Sequence, residues 1–333
     1  MKPTITIIGA GAVGCLTALT FAKHGWNVTL IDKNRLGGEA SWAGGGILFP
    51  LLPWNYPDEI NDFAFAGASR YAALCDELRE ATGIDPEYNV CGMRIFPEFD
   101  ARAPAWCAAR GIPAELHNET LFLPQVAQAR NPRLLAALKA RLLALGVTLH
   151  EHTELLPLQN EAGRITAWQS KDGRSFGADI YVLAAGAWSA PLLGKSAAAI
   201  PVKPMRGQML LYKLSSPAFT EILYREDFYL VPRRDGHVLA GSTIEDVGYD
   251  KSATPEAAAN LARKAAALHP ALKNAPILQH WSGLRPGSPG NIPLINRHAG
   301  FDNLYLNTGH FRYGVTMAPV SAERVFGMVT TAG

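Results

Sequence analysis

Three glycines spaced as Gly9-Ala-Gly11-Ala-Val-Gly14, followed after the next apolar run by Asp32, are the residues of this chain most suited to chemistry. The first glycine permits a tight turn, the second lets a pyrophosphate approach the backbone, and the third lets a helix pack closely on a strand. A helix beginning there offers free N–H groups and a partial positive charge to phosphates. Asp32, at a strand end, is placed to accept the ribose hydroxyls of an adenosine moiety; an acid at that point argues against a 2′-phosphate, hence against NADP. Two further segments suit a large extended ligand. Gly37-Gly-Glu-Ala-Ser-Trp-Ala-Gly-Gly-Gly-Ile47 is a run of small residues that can lie flat along it. Thr308-Gly-His-Phe-Arg-Tyr-Gly314 leads straight into a last helix. That helix N-terminus suits the edge of a flavin pyrimidine ring, which becomes anionic on two-electron reduction.

The elements that must position these residues follow from pattern. Thr4–Ile8 is a β-rich run ending at glycine, the mark of a buried parallel strand. Ala12–His24 is helical in composition with Gly25 as its stop, and Asn27–Asp32 is a second strand, which completes a βαβ unit with a right-handed crossover. Asn61–Ala81 reads as one helix, and Asn131 as the cap of a Leu-rich helix through Leu145. Val147–His150, Ile180–Ala184 and Asn303–Asn307 read as strands, and Val315–Met328 as the last helix. Between Pro201 and His280 the alternating runs Gln208–Leu214, Phe228–Pro232 and Val238–Gly241 predict an antiparallel sheet. Within that region Thr254-Pro255-Glu256 opens a helix to Leu268.

The composition sets limits. The 333 residues are 48% hydrophobic and 18% charged, enough to bury the cores of two domains. Lys+Arg of 31 against Asp+Glu of 29 gives a net charge of +2 with no long basic run, which excludes a dedicated nucleic-acid binder. Cys15, Cys75, Cys91 and Cys107 lie far apart, so neither a zinc site nor a disulfide framework is expected; they read as free thiols in a reducing cytoplasm. Residues 4–22 carry no charge, but Gly9, Gly11 and Gly14 interrupt the run, and a buried strand plus packed helix accounts for it without a membrane span.

Six motifs occur in order: the Gly9–Gly14 fingerprint, Ser41-Trp-Ala-Gly-Gly-Gly-Ile47, Ala185-Gly-Ala-Trp188, Met205-Arg-Gly-Gln208, Gly283-Leu-Arg-Pro286 and Gly309-His-Phe-Arg-Tyr-Gly314. The series resembles the D-amino acid oxidase family of FAD enzymes over nearly the whole chain, and within that family it is most similar to the glycine oxidases of thiamine synthesis. The resemblance implies an α/β fold in which a Rossmann-like FAD-binding domain (residues 1–82, 140–200 and 282–333) is interleaved with an α+β substrate domain built on an antiparallel sheet (83–139 and 201–281). It implies that FAD is bound noncovalently by Gly9, Gly11, Ala12, Val13 and Gly14, by Asp32 and Lys33, and by Ala40, Ser41, Gly44, Gly45, Gly46 and Ile47. Further along it assigns Leu155, Gly186 and Trp188, then Gly309, His310, Phe311, Arg312, Tyr313, Gly314, Val315 and Thr316, to the same cofactor.

On the substrate side the resemblance gives Arg285 the substrate carboxylate, which suits the planar fork of a guanidinium. It adds the Tyr229 hydroxyl to that carboxylate, sets Arg312 between substrate and flavin, and places Ile47 and Ile244 as apolar neighbours. Trp54 and Tyr56, in Phe49–Pro57, read equally as lid or packing residues. The implied reaction is oxidative deamination of glycine or a small neutral amino acid to the imino acid, by hydride transfer to flavin with no side-chain base at Cα, and reoxidation by O2 to H2O2. A D-amino acid dehydrogenase using a quinone or other carrier is the alternative within the class, and an inert dinucleotide-binding protein the alternative outside it. A covalent flavin of the sarcosine-oxidase type needs a Cys in the C-terminal half, and no Cys follows Cys107. The partners implied are a small amino acid and O2, with no nucleic acid and no integral membrane association; homo-oligomerisation stays open.

Overall fold

A computed structural model describes residues 2–97, 99–159 and 162–331, with backbone alone at 197–199. Two sheets organise it. The first has six strands in the order Leu294–Arg297, Leu304–Thr308, Ile180–Leu183, Thr4–Ile8 (β1), Asn27–Ile31 (β2) and Thr148–His150. All neighbours are parallel except the edge strand 294–297. Its central strands are apolar on both faces, as a sheet covered on two sides requires. Helices Ala12–Lys23 (α1) and Gly314–Thr331 meet on one face through Leu16, Leu19, Ala318, Ala322 and Val325. Trp168, Leu193 and Ile200 cover the other.

The second sheet has eight strands in the order 277–287, 203–213, 237–241, 228–232, 222–225, 93–95, 120–123 and 115–117. Its pairs are antiparallel except 222–225 with 93–95, which run parallel. The period of two divides its faces. Leu210, Tyr212, Leu230 and Ala240 pack under helix Pro255–Leu268, whose Thr254 hydroxyl caps it by accepting from the Ala257 N–H. Met209, Tyr229, Val231 and Leu239 point the opposite way, into a core shared with Phe49, Ile60, Ala64 and Met317. Among the described residues no helix is long and apolar enough to cross a membrane.

Two local expectations are corrected, and two elements run across an expected domain division. The helix read over 61–81 is two, Asp58–Ser69 and Tyr71–Thr82, broken at Arg70. Tertiary packing sets the break: a Cβ on Gly67 would stand 2.2 Å from the Thr316 carbonyl, while the buried Tyr71 hydroxyl donates to the Val315 carbonyl. Asn131 does not cap the helix Asn131–Ala144; it is the first helical residue, and its amide is engaged elsewhere. Strand Ile277–Gly287 runs across the division expected at 281/282 and is paired along its length in the eight-stranded sheet. Likewise helix Asn131–Ala144 runs across the division at 139/140, with Leu134, Leu135 and Leu138 in the core of the first sheet.

Candidate active site

A cavity of about 380 Å³ lies between the two sheets, large enough for a substantial organic ligand. One part of its lining follows the carboxyl ends of the parallel strands: Gly9, Asp32, Ala184–Trp188 and Thr308. The other comes from the eight-stranded sheet through Tyr229, Leu284 and Arg285. Ligands of open α/β sheets bind beyond those carboxyl ends.

The glycine-rich turn has no room for side chains. Gly9 sits at φ +101°, and a Cβ there would stand 2.4 Å from the Ala184 carbonyl oxygen; on Gly14 it would stand 1.8 Å from the Gly9 oxygen. Helix α1 starts with no side-chain cap from Gly11. The Ser41 hydroxyl accepts from the Ala12 N–H at 2.9 Å, and the Val13 and Gly14 N–H groups find no acceptor among the described residues. Asp32 accepts from the Ala10 N–H at 2.7 Å and the Asn34 N–H at 2.8 Å, which fixes the turn to the end of β2. Burial pushes its pKa up despite these bonds. Beside it Lys33 Nζ lies 3.5 Å from the Trp188 ring centre, a cation–π contact.

The loop Ser41–Gly46 is tied down from behind. Asn131 Nδ2 donates to the Ser41 and Gly44 carbonyls at 2.7 and 3.1 Å, Arg233 Nη2 to the Gly45 carbonyl at 2.9 Å, and the Ala129 N–H to the Gly46 carbonyl at 2.9 Å. Gly46 is at φ +73°, and a Cβ there would meet the Ala129 oxygen at 2.0 Å.

At the second sheet, Arg285 is held by its neighbours and has no carboxylate partner among the described residues. Nη2 donates to the Ser242 hydroxyl at 2.7 Å and Nη1 to the Thr243 carbonyl at 3.1 Å, with the Tyr229 hydroxyl against the guanidinium. Burial lowers its pKa. Gly207 makes room for it: a Cβ there would stand 2.1 Å from Nη1. Glu245 accepts from Thr243, Gln208 and Arg206, which fixes the 242–245 turn carrying the two Arg285 acceptors. Arg312 also faces the cavity. Its Nη2 is buried without an acceptor among the described residues, and the exposed Asp227 is 3.9 Å from Nη1. Burial opposes its charge, but the Tyr56, Tyr313 and Tyr224 hydroxyls outweigh this and raise its pKa.

The sequence profile of the FAD dependent oxidoreductase family (DAO) matches residues 4–327. The chain belongs to this family. It is 38% identical to the glycine oxidase of Pseudomonas putida over 350 aligned residues, covering 100% of this chain and 96% of that protein. The glycine oxidase of Pseudomonas aeruginosa is also 38% identical, over 97% of this chain and 93% of its own length. The fold is shared with the crystal structure of glycine oxidase from Geobacillus kaustophilus, at TM-score 0.91 and 24% identity, covering 99% of this chain and 95% of that one.

As a family member the chain is an FAD-dependent oxidoreductase, and its residues fit the cofactor. The turn at Gly9 and the loop at Gly46 are cradles that a Cβ would fill, and the free N–H groups at the start of α1 are donors for a pyrophosphate. Of the residues expected at FAD, Gly11, Ala12, Val13, Asp32, Lys33, Ala40, Ser41, Gly44, Gly45, Gly46, Ile47, Leu155, Gly186, Trp188, His310, Phe311, Arg312, Tyr313, Gly314, Val315 and Thr316 all line the cavity with Gly9. Gly14 and Gly309 do not: Gly14 packs on the Gly9 carbonyl, and the Gly309 carbonyl accepts from Ser288 at 2.6 Å. Ile244 is the clear correction. It is 41% exposed and absent from the lining, because inward-facing Thr243 and Glu245 on either side turn it outward. His310 is fully buried, paired with the Ser321 hydroxyl at 2.8 Å, and its pKa is lowered to about 3 by burial, so it stays neutral. Of Phe49–Pro57, Phe49 and Leu51 line the cavity, while Trp54 is core beside Trp106 and Tyr56 stacks edge-on against Tyr313. The loop contacts of Asn131, read as a helix cap, and the roles of Gly207, Arg233, Ser242 and Thr243 escaped the sequence reading. Gly207 stood inside a quoted motif and Arg233 directly follows the Phe228–Pro232 strand, but neither position carries a local signal of its role.

Proposed function

We propose that this enzyme is an amino acid oxidase of the glycine oxidase type, acting on glycine, sarcosine and small neutral D-amino acids with the substrate carboxylate on Arg285. The observation that carries the reading is a half-buried guanidinium at the cavity wall whose hydrogen-bond partners among the described residues, Ser242, Thr243 and Tyr229, are all neutral. Such a cation calls for an anion from outside the chain. Bound FAD supplies the two-electron acceptor for oxidising the substrate Cα–N bond. Arg285 pairs with the carboxylate, and Tyr229 adds a hydrogen bond from its hydroxyl. Arg312 offers a second cationic donor through its free Nη2. Ile47, Phe49 and Leu51 give an apolar surface that displaces water and leaves little to pair with a charged side chain.

The carboxylates that line the cavity, Asp32, Glu39 and Glu154, are committed elsewhere: Asp32 to the glycine turn, Glu39 to Lys251 and Glu154 to Lys171. With two guanidiniums and no such acid at the substrate end, a protonated amine is disfavoured. The neutral amine carries the lone pair that oxidation requires. No side chain is assigned as base at Cα.

The reading extends to dioxygen as acceptor with release of hydrogen peroxide, a cytoplasmic setting in thiamine synthesis, and noncovalent FAD. Burial raises the thiol pKa of Cys15, Cys75 and Cys107, which makes them poor nucleophiles for attachment. The test is a peroxide-coupled substrate panel. Glycine, sarcosine and D-alanine should exceed D-glutamate and D-arginine at least tenfold in kcat/KM, since desolvating an unpaired charge costs several kcal/mol. A tenfold lead for a charged D-amino acid overturns the substrate assignment. Turnover with a quinone dye but no peroxide overturns the oxidase assignment in favour of a dehydrogenase.

A further inference from the structure

Arg233 is a buried guanidinium that the proposed reaction does not use. It is 6% exposed, directly follows strand Phe228–Pro232, and so sits four residues from Tyr229. Among the described residues all its side-chain acceptors are neutral: Nη1 donates to Gln128 Oε1 and to the Ala129 carbonyl, and Nη2 to the Gly45 carbonyl, while Nε has no acceptor there. The neighbouring acids Glu87 and Asp235 are both taken by Arg130, at 3.3 and 2.8 Å. A paired charge or an apolar side chain is the ordinary content of such a site, so an un-neutralised cation here needs a reason.

Gly45 supplies it. Gly45 and Gly46 line the FAD cavity, and their N–H groups have no acceptor among the described residues. A Cβ on Gly45 would stand 3.0 Å from the Tyr229 ring, so this stretch of loop lies at the substrate end, where the reactive part of the cofactor must be. We propose that Arg233 is a positioning residue for FAD. It holds the Gly45 carbonyl away from the cavity so that the Gly45 and Gly46 N–H groups are presented to the flavin, and its un-neutralised charge favours the reduced, anionic flavin over the oxidised form. A fixed charge in a low-dielectric wall acts on a ligand's charge more strongly than one in water.

The test needs no amino acid substrate, so its outcome is separate from that of the substrate assignment. FAD is titrated into apoprotein, and the two-electron midpoint potential is measured against a reference dye, for wild type, Arg233→Gln and Arg233→Lys. Arg233→Gln should weaken oxidised FAD about fivefold and reduced FAD about tenfold more than that, lowering the potential by about 30 mV. Arg233→Lys loses the fork but keeps the charge. It should weaken FAD about fivefold with near wild-type potential at neutral pH, and its potential should fall below wild type as pH rises through titration of the buried amine. Equal weakening of both redox forms by Arg233→Gln, or wild-type affinity and potential in either variant, overturns the proposal. If Arg233→Gln does not fold, Arg233→Lys decides: an offset from wild type that does not change with pH overturns it.

Discussion

The two ends of the cavity are built in different ways. At the Gly9 end the ligand meets mostly backbone: a turn at φ +101°, free N–H groups at a helix start, and one carboxylate, all within the first 32 residues and one βαβ unit. At the Arg285 end it meets side chains from distant segments. Tyr229, Arg285 and Arg312 line the cavity, brought together by strand pairing across the eight-stranded sheet and by the loop before the last helix, with the Ser242 hydroxyl and the Thr243 carbonyl bonded to Arg285. Backbone donors suit a group common to a whole family of enzymes, whereas side chains on separate strands can be exchanged one at a time. The Gly9 end is therefore set mainly by backbone geometry, and the Arg285 end, which we propose takes the substrate, mainly by side chains.

This separation can be broken from either side. The larger effect is expected at the substrate end. Arg285→Ala should retain FAD yet lower kcat/KM for glycine by about a hundredfold, the roughly 3 kcal/mol of a charged hydrogen-bonded contact. Arg285→Lys should recover part of it, because an ammonium cannot reproduce the fork. Loss of FAD from Arg285→Ala would contradict the division. The smaller effect is expected at the other end. Asp32→Ala removes the acceptor of the Ala10 and Asn34 N–H groups and should weaken FAD about tenfold, measured by titration of apoprotein. At saturating FAD, its KM for glycine should match wild type; a changed KM would couple the two ends.

The same contrast explains what could be read from the sequence. The cofactor end was legible because its determinants are local: glycine spacing fixes a turn, and an apolar run ending in Asp32 fixes a strand. The Arg285 end was reached through resemblance to a family; the structure gathers Arg285, Tyr229 and Arg312 at the cavity, while Ile244 lies outside its lining. The alternation of a strand does not say which residue of an irregular turn faces inward, and in 242–245 that is decided by Glu245 gripping Thr243, Gln208 and Arg206. Asn131 misled for a related reason. Its place before a Leu-rich helix has the look of a cap, but its amide is better used on the Ser41 and Gly44 carbonyls, contacts that exist only once the chain has folded. Gly207 and Arg233 act through contacts with Arg285 and Gly45, which lie far from them in sequence.

The central claim is that glycine, its carboxylate on Arg285, reduces the bound flavin directly. Anaerobic mixing of the purified FAD-loaded protein with glycine, followed through the flavin absorbance, tests this with no second substrate present. The visible flavin band should bleach fully, at a rate that saturates with glycine concentration, and return on admission of air. A flavin that stays oxidised under excess glycine, sarcosine and D-alanine would contradict the account.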